Sequence, residues 1–67
     1  MLEPTDAERV AKAFHESYER QAPSVGYETR KDSAVPWENV PENNRQLMIR
    51  VASDLLVRGV ILVAPDA

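Results

Sequence analysis

The sequence predicts a mostly helical α+β domain: two packed antiparallel helices, with short strands from the middle segment and the C-terminus. Three observations carry that expectation. Apolar residues recur at helical spacing in two stretches, one from Asp6 to about Gln21 and one from Pro41 to Arg58. Between them, Ala22 to Val40 holds Pro23, Gly26 and Pro36 and shows no helical period. After Gly59 come Val60-Ile61-Leu62-Val63, consecutive apolar residues that are mostly β-branched and suit a strand.

The first helix begins at a Thr-x-x-Glu capping box, Thr5 and Glu8, in which each side chain serves an orphan backbone N–H. Val10, Phe14 and Tyr18 recur every four residues and, with Ala7 and Ala11, make one apolar stripe. Pro23 stops the helix, because it has no N–H to donate. The middle segment is expected to hold a strand around Tyr27–Arg30 and a turn near Asp32-Ser33. Val35-Pro36-Trp37 follows as an extended anchor, since the residue before a proline is pushed out of the helical region.

Pro41 suits the first position of the second helix, where a missing N–H costs nothing, and Glu42 supports the positive end of its dipole. Leu47, Met48, Val51, Ala52, Leu55 and Leu56 make a broad apolar face. Gly59 is placed to cap this helix in a left-handed conformation. The Val60–Val63 strand that follows must pair with the Tyr27 segment or with another chain, because a lone strand leaves its backbone groups unpaired.

At 67 residues the chain has room for one domain, spanning 1–67, and a thin core. Small domains usually add disulfides, a metal or a partner subunit. There is no Cys and one His, so a partner subunit is the reinforcement left. The lack of Cys fits a reducing compartment, and the acidic, polar start Met-Leu-Glu-Pro-Thr-Asp does not read as a leader, so a cytoplasmic location is expected. No apolar run approaches the roughly 18 residues needed to span a bilayer. The net charge is −3, and the eight basic residues are dispersed among acidic ones, which argues against nucleic-acid binding through phosphate contacts.

In order, His15-Glu16, Gly26-Tyr27, Val35-Pro36-Trp37, the Leu47–Leu56 run, Gly59-Val60 and Ala64-Pro65 resemble a ryanodine-receptor-type (RyR) repeat. The resemblance covers the chain from about Ala7 to Pro65 and is strongest to short stand-alone versions from phages and actinobacteria. It departs from the animal repeats in having few residues between Arg30 and Val35. What it implies is two packed helices with short strands. Because repeats in ryanodine receptors come as pseudo-symmetric pairs, it also implies a homodimer. A nucleotide-derived small molecule is the ligand class it suggests.

Chemistry has few places to sit. His15 has no second imidazole or thiol to complete a metal site and no marked nucleophile beside it, so no catalytic residue, metal or cofactor is expected. The plainer role for His15 is a structural hydrogen bond to backbone. Tyr27, Arg30 and Lys31 offer an aromatic face and two cations suited to a phosphate-bearing ligand; the alternative is a solvated strand edge. Trp37 is either a stacking platform or a plug between the helices. Arg45 begins the second helix near a potential anion site, with Glu42 in the way. The ligand-binding candidates are therefore Tyr27, Arg30, Lys31, Trp37, Arg45 and His15. The interface candidates are Met48, Val60, Ile61 and Leu62. They frame two readings: first, because the irregular middle segment carries the polar and aromatic groups, a small non-enzymatic module that binds or sequesters a nucleotide-derived molecule; as the alternative, a module that meets a host protein through its second helix and C-terminal strand.

Overall fold

The computed structural model describes residues 5–32 and 34–63. Ser33 of the expected turn, the first four residues and the closing Ala64-Pro65 lie outside the described residues. In chain order the elements are α1 (Asp6–Gln21), a 3₁₀ turn (Ala22–Val25), a second 3₁₀ turn (Trp37–Asn39) and α2 (Glu42–Val57).

Local chemistry sets the helix ends. Thr5 is extended, and its Oγ1 accepts from the Glu8 N–H at 3.1 Å, with Asp6 and Glu8 in the first turn where the helix dipole favours acids. At the far end Pro23 does not halt the chain at once. The helix tightens into the 3₁₀ turn, and Gly26 ends it at φ 70°, its N–H reaching Pro23 and that of Tyr27 reaching the Ala22 carbonyl at 3.0 Å. Pro41 stands one position earlier than expected. It is the extended residue before α2, and Glu42 is the first helical residue. The expected glycine cap is present: Gly59 adopts φ 71°, its N–H bonds the Leu56 carbonyl at 3.1 Å, and the Val60 N–H bonds Leu55 at 3.0 Å. That pair of bonds is a Schellman motif, and it turns the chain back along the helices.

The fold is all-α, which corrects the α+β expectation: no strand occurs among the described residues. The apolar, β-branched run Val60–Val63 lacks a backbone to pair with, for a geometric reason. Tyr27 sits at the C-terminal end of α1 against Tyr18, with ring centroids 6.1 Å apart, and Thr29 is held by its hydroxyl donating to Glu19 at 2.7 Å. Leu62 and Val63 instead lie along the earlier part of α1, beside Glu8, Lys12, Glu16 and Trp37. Strands must run about 4.8 Å apart to share hydrogen bonds. These two segments are tied to different stretches of the helix.

The helices run antiparallel, as expected. The Tyr18 end of α1 shares a cleft with Asn44 of α2, and Val10 shares a groove with Leu55 and Ile61. The residues that close the seam between them are small. Ala11, Val40 and Ala52 are 2–4% exposed, and Ala22 is 7% exposed. His15 is the polar member of this core. Alanines at facing positions let two helix backbones approach closely, and they bury little apolar area in doing so. None of the described large side chains is fully buried.

Candidate functional site

Because the seam is built from Ala11 and His15, the larger members of the α1 stripe are displaced to its edge. Phe14 is 61% exposed and Tyr18 44%. On α2 the same shift leaves Leu47 60% and Val51 50% exposed, while Ala52 closes the seam. The two edges meet as one surface. An open groove of about 380 Å³ runs between the helices, lined only by apolar side chains, among them Val10, Phe14, Leu47, Val51, Leu55 and Ile61.

Phe14 links this groove to an aromatic ladder. Its ring stacks on Tyr18 with centroids 5.8 Å apart, and Tyr18 meets Tyr27 edge to face at 82°. The Tyr27 side chain hydrogen-bonds Tyr18 and, with Tyr18's desolvation, raises its phenol above the ordinary value of 10.0. Rings in such an arrangement attract one another through their quadrupoles, so the ladder is ordered although its outer faces are open.

His15 is buried in the core. Its Nε2 donates to the Val35 carbonyl at 2.7 Å, which ties the middle segment to α1. Its ring packs tilted against Trp37, with centroids 5.9 Å apart. Trp37 is half-buried, and Lys12 and Glu38 form an ion pair beside it at 3.7 Å. An imidazole donating to a backbone carbonyl and covered by an indole is held in one orientation and supports the packing of the loop.

The six ligand candidates divide. Tyr27, Arg30 and His15 line one cleft of about 220 Å³, together with Tyr18, Glu19, Asn44 and Met48. The Glu19 carboxylate that accepts from Thr29 belongs to the same cleft, so a phosphate there meets a negative charge. Lys31 is exposed in the turn that follows. Trp37 lies across His15, on the side of α1 that carries Lys12 and Glu16. Arg45 donates to Glu42. The Glu42 carboxylate accepts from Gln46 and Arg45, which together hold it below its ordinary value.

The interface candidates divide as well. Met48 is half-buried and lines both the groove and the cleft. Ile61 closes one end of the groove, Val60 is 60% exposed, and Leu62 is 89% exposed beyond it. Phe14, Tyr18, Leu47 and Val51, members of the two apolar stripes read from the sequence, make most of the open face. Their exposure had one sequence signal: on each helix a smaller residue, Ala11 or Ala52, neighbours them on the same stripe.

No protein-family model, curated protein or solved structure matches the chain. The resemblance to the RyR repeat therefore rests on the ordered sequence pattern alone. Among the described residues no helix is long and apolar enough to cross a membrane, and no three His, Cys, Asp or Glu side chains gather in a group that would hold a metal ion.

Proposed function

We propose that this chain is a small non-enzymatic protein-interaction module that works through the open apolar face of its two helices. The observation that carries this reading is the groove between α1 and α2: Phe14, Leu47 and Val51 stand half-exposed or more around it, and its lining holds no charged side chain. The largest contiguous apolar patch on a small protein is often its functional surface. The face lies on two rigid helices, so a partner meets a preformed surface and little ordering entropy opposes binding.

The sequence reading ranks the nucleotide-binding module first and the interaction module second; the groove favours the opposite order and moves the interaction surface. The expected surface was the second helix with Val60–Val63, and the groove adds Phe14 of α1 and keeps only Ile61 of that run at its end. Photo-crosslinking in the producing cell tests it. With benzoylphenylalanine in place of Leu47, a discrete protein adduct is expected, and Phe14→Glu in the same chain should abolish it. The same probe in place of Ser53, exposed on another side of α2, should give none. Absence of an adduct from position 47 would sink the reading.

Binding of a nucleotide-derived molecule ranks second. It is supported by Tyr27, His15 and Arg30 sharing a cleft, and it is weakened by Glu19 in that cleft and by Trp37 and Arg45 lying outside it. A ligand present at about 100 times its dissociation constant stabilises a fold by about 2.7 kcal/mol. An unchanged melting temperature with millimolar adenosine diphosphate would therefore remove this reading.

A further inference from the structure

We infer that the occupant of the apolar face is a second copy of this chain, packed helix face to helix face about a two-fold axis. This rests on the reading of the face as an interaction surface and names what covers it.

Area is the first argument. An aromatic side chain buries about 150–250 Å², so Phe14, Tyr18 and Tyr27 at 61%, 44% and 56% exposure leave roughly 100 Å² each in the open. Leu47 and Val51, at 60% and 50%, bring the face to roughly 500–600 Å² per copy at typical side-chain areas. Two such faces, fully covered, bury at most about 1,000–1,200 Å² in total, which clears the roughly 1,000 Å² a biological interface needs and reaches the lower end of the stable, specific class.

Shape and charge are the second argument. The face carries both a knob and a groove. Phe14 stands at the lip of the groove lined by Leu47, Val51 and Leu55, so a two-fold axis lets each copy place its Phe14 against the other's groove. A two-fold interface brings the same patch together from both sides and therefore must be self-complementary. The chain carries a net charge of −3, and two copies repel wherever acidic surfaces meet. The groove contains no charged side chain, so there the two copies meet without like charges opposite each other, and at the Tyr18–Tyr27 end the neighbouring charges, Glu19 and Arg30, are of opposite sign.

The core itself is short of apolar burial. Its most buried residues are Ala11, Ala22, Val40, Ala52 and His15, and no disulfide reinforces it. A chain of this size with so little apolar area buried gains the missing burial by association. The second copy supplies what the small seam residues do not.

Sedimentation equilibrium of the purified full chain, from about 1 µM to about 500 µM, tests the inference. A species of twice the 7.5 kDa chain mass is expected. Phe14→Glu should raise its dissociation constant at least about thirtyfold, as for a central aromatic anchor, with helical circular dichroism retained. If Phe14→Glu fails to fold, Leu47→Arg serves the same purpose from a position that is already 60% exposed. Leu62→Asp, 89% exposed beyond the groove, should leave the dimer intact. A chain that stays at 7.5 kDa throughout overturns the inference, and so does a dimer that Leu62→Asp breaks and Phe14→Glu and Leu47→Arg do not. The two failures are separable from that of the broader reading. If the chain is single while the probe at position 47 captures a different polypeptide, the second copy falls and the interaction module stands.

Discussion

The seam and the open face are built from neighbouring residues on the same two helices, yet they carry opposite kinds of side chain. At the seam, Ala11, His15 and Ala52 of the helices are nearly sealed from solvent, together with Val40 from the segment before α2. Beside them on the same helices, Phe14, Leu47 and Val51 stand half-exposed or more. The difference teaches that helix–helix approach is decided by the smallest residues on a stripe. Small residues permit close backbone contact, and the large ones beside them are levered outward to rim a groove. Stability and recognition are thereby assigned to adjacent edges of each helix.

If that division holds, substitutions at the seam should change folding, and those on the face should leave folding nearly unchanged. The largest effect is expected for Ala52→Leu. Ala52 is 4% exposed, so extra methylenes must force the helices apart, at about 1–3 kcal/mol, read as a lower midpoint in urea. His15→Leu should come close to it. It keeps the bulk and orphans the Val35 carbonyl, at about 1–3 kcal/mol for an unsatisfied buried acceptor. Trp37 fluorescence should shift in the same variant, because the imidazole packs on the indole. An unchanged midpoint for both would collapse the distinction between the two edges.

Gly59→Ala probes the turn that sends Ile61 back to the end of the groove. No atom lies within 4 Å of the added Cβ, so its cost is the strain of φ 71° alone, about 1 kcal/mol in the thermal unfolding free energy. A smaller effect belongs to Glu42. Its folded value is lowered by Gln46 and Arg45, so the stability it contributes is present above the ordinary carboxylate value near 4.5 and is lost as pH falls through the lower folded value. Glu42→Gln should therefore lower the melting temperature slightly at neutral pH and leave it unchanged in acid, where the carboxyl is already protonated, so that the acid limb of the profile flattens. The smallest effect is expected on the face. Leu47→Gln should stay within about 0.5 kcal/mol of the parent when measured at concentrations too low for association. A loss as large as that of Ala52→Leu would mean that the face is part of the chain's own core.

Much of the helical framework was legible in the sequence, because it is dictated locally. Thr5 and Glu8, Pro23 and Gly26, Pro41 and Gly59 act on their own few residues of backbone, and the helices they bound appear within one or two positions of where they were expected. The strands were not legible. Val60–Val63 has the composition of a strand, but a strand is a relation between two backbones, and the sequence does not say that Tyr27 and Leu62 are tied to different parts of α1. The place of Trp37, half-buried over His15, was also open between two roles.

By itself, then, the sequence determined two amphipathic helices, their caps and their antiparallel connection, since periodicity and capping are properties of adjacent residues. Tertiary structure alone decided which part of each apolar stripe is core. Ala11 and Ala52 turned inward because two helices pack most closely where their side chains are smallest. That choice buried His15 against the loop and left Phe14, Leu47 and Val51 as an open face, a difference of about one helical position that periodicity does not resolve.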